Sequence, residues 1–414
     1  MNNLNKISIF NVTCILLILL LHLPKIDIVH IASYKQGIRL DDIILLSFFL
    51  FYLPKVLFLK GSKGILLIFI TLSFFISFIN NSNFNLMIIF HYIRFIEYIV
   101  LFVVVKHLLS NLHIVKIIKF SFIFQIFIVI FQQLIPLSYI ERPLTSTVAG
   151  IDFIRASGSM AGPRELAIFM GICFFVISDY TVKQKYKSLG FGYFILIWAI
   201  TIITFARAQL VALLFANISQ FKLFSKFLKF TLIFIILTLI ILLILYRFEL
   251  DSFSLGYIQY STSINFLSDY GLEFIKSFKS NDFSFLGSGG RSFDLSTETY
   301  DPSLVGRLQQ WGRYYQTFQY ANSYFIGILF GMGPGSGGII NDGMYIKLFV
   351  DFGIIGFLIY TFYALKYFLN KNTRALTIFI SISCITIDLY WATKITYVLI
   401  FASVYFMRLN KSKN

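Results

Sequence analysis

Twelve arginines stand in this sequence, and the spacing of four of them is its clearest chemical signal. Arg155 and Arg164 bracket the stretch Arg155-Ala-Ser-Gly-Ser-Met-Ala-Gly-Pro-Arg164-Glu165. Arg207 sits in Phe205-Ala206-Arg207-Ala208, between two apolar runs. Arg307 precedes Gln310, Trp311, Tyr314 and Phe318 at three- and four-residue steps, which share one face of a helix. A guanidinium is a rigid planar fork that grips two phosphate oxygens together, and a charge-assisted bond of this kind contributes about 1.5–3 kcal/mol. These four arginines therefore point to the binding of a phosphate or diphosphate group. Gly158 and Gly162 are expected to let backbone N–H groups approach the same anion. Pro163 suits the first turn of a helix whose positive end would face it. Two carboxylates accompany the arginines: Glu165, and Asp342 at the start of a later helix, where it either caps the helix or contacts a hydroxyl of a second substrate. Lys347 and Asp351 are four residues apart and are expected to pair.

Long apolar elements must hold these groups. Of the 414 residues 58% are hydrophobic and 13% charged, and the mean hydropathy is +0.80. A soluble domain is nearer half apolar and a quarter charged, so a soluble enzyme is excluded first. About 240 apolar positions fill roughly twelve membrane spans at about 20 residues each. The runs lie at 7–23, 42–59, 64–80, 86–109, 114–136, 165–180, 188–205, 207–221, 227–246, 342–366, 375–390 and 394–410. The first is read as a retained span, because Pro24, Lys25 and Ile26 follow it rather than a small-residue cleavage site. The chain thus divides into 1–246 with nine spans and an outer loop at 137–164, a large outer loop at 247–341, and 342–414 with three spans and a tail. Fifty Phe and twenty-four Tyr suit lipid contact and sugar stacking. Cys14, Cys173 and Cys384 lie in apolar runs and offer neither a disulfide framework nor a zinc spacing.

The net charge of +16 would indicate nucleic acid in a soluble protein. Here it follows the positive-inside rule. With the N-terminus inside, the inner connections carry Lys60 and Lys63, Lys116 and Lys119, Lys183 to Lys187, Lys222 to Lys229, and Lys366 to Arg374, and the tail adds Arg408, Lys411 and Lys413. Both termini are then cytoplasmic. Nine arginines fall on the opposite side: Arg39, Arg142, Arg155, Arg164, Arg207, Arg247, Arg291, Arg307 and Arg313. Topology needs only positive charge, which lysine supplies, so outer arginines call for another cause. Neighbouring acids or a membrane boundary account for Arg39, Arg142 and Arg247. For Arg155, Arg164, Arg207 and Arg307 the phosphate reading is preferred.

In the large loop, Asp301-Pro302 is a good helix start, with a helix expected to about Tyr320. Trp311 and Phe318 stack on sugar or, in the blander reading, pack the loop onto the spans. The following Gly331-Met-Gly333-Pro334-Gly335-Ser336-Gly337-Gly338 lacks the Lys-Ser/Thr of a nucleotide-binding loop and reads as an irregular turn back to the membrane.

Arg155 to Ala167, Arg207 with its apolar flank, Gly306-Arg307 with Trp311, Gly331 to Gly335, and Asn341 to Gly356 ending in Phe352-Gly-Ile-Ile-Gly356 together resemble the Wzy-type O-antigen polymerases and the related O-antigen ligases. In order and spacing the likeness covers the second half of the chain. It implies an all-α, polytopic, GT-C-like fold in the bacterial inner membrane with one large periplasmic loop. It implies metal-independent glycosyl transfer between undecaprenyl-diphosphate-linked oligosaccharides at the outer face, with no cofactor. Arg155, Arg207, Arg307 and Asp342 would be catalytic, the arginines stabilising the departing lipid diphosphate. Arg164, Glu165, Arg291, Trp311, Arg313 and Tyr314 would bind substrate, and Asp342 or Glu165 would be the base. A chain-length regulator and a flippase would be partners. Ligases carry a histidine near the start of the span at 342–366, whereas this chain has no histidine after His113, which favours polymerase over ligase. A flippase or transporter is the reading from another class. It would show repeats and broken helices in matching halves, and the sequence displays neither.

Overall fold

The eight apolar runs before residue 222 each fold into one helix, because in hydrocarbon every backbone amide must find its partner within the segment. The computed structural model describes residues 3–23, 27–30, 37–57, 62–81, 86–134, 145–148, 151–184, 187–204, 206–219, 317–336, 343–389 and 392–411. The helices are α1 (Asn3–His22), α2 (Leu40–Leu57), α3 (Ser62–Asn80), α4 (Leu86–Leu108), α5 (Asn111–Leu134), α6 (Pro163–Lys183), α7 (Lys187–Ile203) and α8 (Arg207–Ser219). Within the large loop lie a 3-10 turn (Thr317–Tyr320) and α9 (Tyr324–Phe330), and after it come α10 (Met344–Leu369), α11 (Arg374–Ser383) and α12 (Thr393–Lys411). The expected ninth span at 227–246 lies outside the described residues.

Helices carry the fold, and two short antiparallel hairpins sit in the connections before α2 and α6. One joins β1 (Asp27–His30) to β2 (Gly37–Arg39), and the other joins β3 (Thr145–Val148) to β4 (Ile151–Ile154). Read from sequence, both stretches are plain loops. Their β-branched residues at Ile28-Val29 and Thr145-Ser-Thr-Val148 are what favour strands there.

Three of the described helices, α5, α6 and α10, are long and apolar enough to cross a membrane. Large apolar side chains stand outward on several helices, among them Phe51, Ile79, Phe127 and Phe362. Such faces suit lipid rather than water. α6 is the exception, with most of its circumference buried. It packs against α5, α7, α8, α11 and α12, as a helix apolar all round should. Gly171 leaves room on α6 for the Phe379 ring of α11, which a Cβ would meet at 2.2 Å.

Polar contacts tie helix ends together in two places. At one end Arg408 of α12 donates to the carbonyls of Lys106 and Leu109, and Asn372 donates to Asn410 at 3.2 Å. At the other end, Asn322 and Ser323 donate to the backbone and side chain of Asn80, both at 2.6 Å.

α10 is broken. Gly353 has φ 67 and ψ −166, values open to glycine and costly for other residues. The carbonyls of Val350 and Asp351 accept from the amides of Met332 and Gly333, at 2.8 and 3.1 Å. The glycine-rich turn after α9 thus docks into the break, and non-helical backbone at this depth is satisfied by protein. Phe318 is buried beside Met332 and Val350, so for this ring the blander packing reading holds. Of the helix expected to about Tyr320, only Thr317–Tyr320 lies within the described residues, and it is a 3-10 turn.

Candidate functional site

Pro163 opens α6 as its first residue, with Gly162 extended before it. Arg164 is therefore in the first turn, at the positive helix end. Its Nη1 donates to the Thr386 carbonyl at 3.0 Å. Thr386 lies just beyond α11, where the chain leaves the helix through turns at Cys384 to Thr386. The Thr386 hydroxyl accepts from Gln209 Nε2 at 3.2 Å. Gln209 is in the first turn of α8, and Arg207 is the residue that opens that helix. Arg155 donates from Nε to the carbonyl of Thr204 at 3.1 Å, at the exit of α7.

Two helix starts, α6 and α8, therefore meet at the end of α11, with Arg164 and Gln209 reaching it and Arg155 held on Thr204 between α7 and α8. Each helix start contributes about half a positive charge. The arrangement is suited to receiving an anion at the edge of the helical bundle.

Of the expected site residues, Arg164 reaches Thr386 by its side chain, Arg207 opens the helix whose Gln209 reaches the same residue, and Arg155 is held on Thr204 at the exit of α7. Glu165 accepts from the Ala161 amide at 3.3 Å and so closes the start of its own helix. Arg307, Asp342, Arg291, Trp311, Arg313 and Tyr314 lie outside the described residues.

Two expectations are corrected. The Gly158 amide is not available to an anion: with that of Ser157 it donates to Gln132 Oε1, at 2.9 and 3.2 Å, and the Ser159 amide donates to Gln125 Oε1 at 2.9 Å. The loop that follows Arg155 is thus a sleeve around two buried glutamines of α5, held further by Gln125 Nε2 on Ser159 at 2.6 Å and on His22 at 3.0 Å. Lys394 completes the sleeve by donating to the Ser159 carbonyl at 2.5 Å and the His22 carbonyl at 3.5 Å. Lys347 does not pair with Asp351 as its spacing promised. It bonds Asp388 at 2.5 Å, with both side chains wholly buried, because the segment after α11 brings a carboxylate to it from the side.

The residues that sequence reasoning missed are thus Gln125, Gln132, Gln209, Thr386, Asp388 and Lys394. A signal existed for some of them. Gln125 and Gln132 are seven apart on one face of an apolar run, and Asp388 is an acid inside another; polar groups at membrane depth are functional or structural by default.

The nearby Arg94 is a second charged centre. It bonds Asp42 at 2.7 Å and Glu97 at 2.6 Å, with Asp41 at 3.8 Å. The neighbouring Arg39 donates its backbone amide to Asp42 at 2.9 Å.

No family model, curated protein or solved structure matches this chain.

Proposed function

We propose that this chain is a polysaccharide polymerase of the O-antigen type. It joins undecaprenyl-diphosphate-linked oligosaccharide units at the outer face of a bacterial inner membrane, with both termini in the cytoplasm. The observation that carries the reading is the meeting of α6 and α8 at Thr386, with Arg164 on one helix start, Arg207 opening the other, and Arg155 beside them. Polymerisation breaks the bond between the growing chain and its lipid diphosphate. The acceptor hydroxyl of the next unit loses its proton as it attacks, and negative charge develops on the departing diphosphate. Fixed positive groups aimed at that charge lower the barrier without reorganising. In this reading Arg155, Arg164 and Arg207, joined by Arg307 of the large loop, stabilise the leaving group. Asp342 or Glu165 receives the proton. A chain-length regulator and a flippase are the expected companion proteins.

The test is complementation of a strain lacking the gene, with polymer resolved by length on a gel. Loss of the gene is expected to leave single repeats on the final acceptor, and Arg164→Ala is expected to reproduce that pattern while the protein still inserts. Absence of any attached repeat would instead identify a ligase. Normal long chains from Arg164→Ala and Arg207→Lys would overturn the proposed arginine clamp. A transporter of lipid-linked oligosaccharide is the second reading, supported by the break in α10 at Gly353. It predicts that loss of the gene strands the lipid-linked unit on the cytoplasmic leaflet.

A further inference from the structure

The break in α10 lies next to a buried carboxylate. Asp351 is one turn after Lys347 and two residues before Gly353. It is 1% exposed, and neither of its carboxylate oxygens has a hydrogen bond of ordinary geometry. Lys347, 0% exposed, gives its ammonium to Asp388. The groups acting on Asp351 come from three segments: Lys347 on α10, Asp388 after α11, and the Gly335 amide of the docked turn, which acts from outside ordinary hydrogen-bond geometry. His91 of α4 lies against Gly335. Cys384 and Tyr98 stand within reach of the Asp388 charge, and Tyr98 in turn feels Arg94 and Glu97. Asp351 and Asp388 thus share the field of Lys347, and Lys347 is bonded to Asp388.

A buried carboxylate without a partner is among the costliest groups a protein can hold, and neutralisation removes most of that cost. We propose that Asp351 is a proton-binding site, holding a proton while Lys347 is paired with Asp388. In the exchange the Asp351 O–H bond breaks, the proton passes to an Asp388 oxygen, and the ammonium moves from Asp388 to Asp351. No charge enters or leaves the triad, and no other reactant is required. The two segments resting on the triad feel the exchange. Met332 and Gly333 hang on the carbonyls of Val350 and Asp351, and Thr386, which holds Arg164 and Gln209, is two residues from Asp388. The inference does not depend on the polymerase reading.

The experiment is infrared spectroscopy of the full chain in detergent at neutral pH, reading the carbonyl stretch of protonated carboxylic acids. Subtracting the Asp351→Asn spectrum from that of the native protein is expected to leave one acid band, equivalent to one carboxyl per chain. Asp388→Asn frees Lys347 for Asp351, so the same band is expected to vanish although Asp351 is intact. A merely structural Asp351 would not respond in this way, and the second variant serves if the first does not fold. Identical acid regions in the native protein and Asp351→Asn, or a band that persists in Asp388→Asn, would overturn the proposal. Saturable sodium binding lost in Asp351→Asn, with no acid band, would overturn it in favour of a cation site.

Discussion

Two charged regions of this protein solve opposite problems. Around Thr386 and the exit of α7, the half-buried guanidiniums of Arg164 and Arg155 bond backbone carbonyls, Arg164 from the first turn of α6. At the break of α10, the ammonium of Lys347 is wholly buried on a carboxylate. A carbonyl fixes the position of a cation and leaves its charge to act on something else. A carboxylate cancels that charge, so the cation becomes part of the scaffold. In the proposed function the first arrangement receives an anionic substrate, and the second holds two segments together.

The sharpest way to break this contrast is Lys347→Met. It strands Asp388 beside Asp351, and removal of one member of a buried pair costs about 3–5 kcal/mol. Loss of folded protein, followed by thermal unfolding in detergent, is the expected result, with much of it restored by adding Asp388→Leu. A Lys347→Met protein as stable as the native one would show that the pair is not scaffold. Next in size is Arg164→Lys, which keeps the charge but not the fork. A loss of about 1.5–3 kcal/mol of stabilisation corresponds to roughly 10- to 100-fold less polymer, with folding unchanged. Equal loss of stability and polymer would erase the distinction between the two regions.

Gln132→Leu leaves the Ser157 and Gly158 amides without their acceptor. About 1–3 kcal/mol is expected, read as earlier proteolysis of the loop after Arg155 together with reduced polymer, because that loop aims Arg155. The smallest effect is expected from Phe318→Leu, at under about 1.5 kcal/mol. Polymer length should not change, since the ring packs against Met332 and Val350. A selective loss of polymer in this variant would return Phe318 to the substrate.

The helices were legible because hydrocarbon imposes a length and composition that a run such as 114–136 or 165–180 displays openly. That Arg164 and Arg207 stand at helix starts was legible for a related reason: each lies at the edge of an apolar run, and such edges gather at the faces of a membrane. What stayed hidden depends on contacts across the chain. Phe352-Gly-Ile-Ile-Gly356 reads as an uninterrupted span, and only the docking of Met332 and Gly333 makes a break at Gly353 tolerable. Likewise the four-residue step from Lys347 to Asp351 promised a pair, and a carboxylate 41 residues from Lys347 took the ammonium instead. The Gly158 amide looked free because nothing near it in sequence announces Gln132 as its acceptor.

Lys394 belongs to α12, yet its ammonium clasps the carbonyl of Ser159 in the sleeve and that of His22 at the end of α1, 372 residues away. α12 is therefore the clip that closes α1 onto the sleeve. A ribosome that stalls before α12 would leave behind a bundle whose arginine corner is threaded but unfastened. Maturation of the corner is in this sense timed by the arrival of α12.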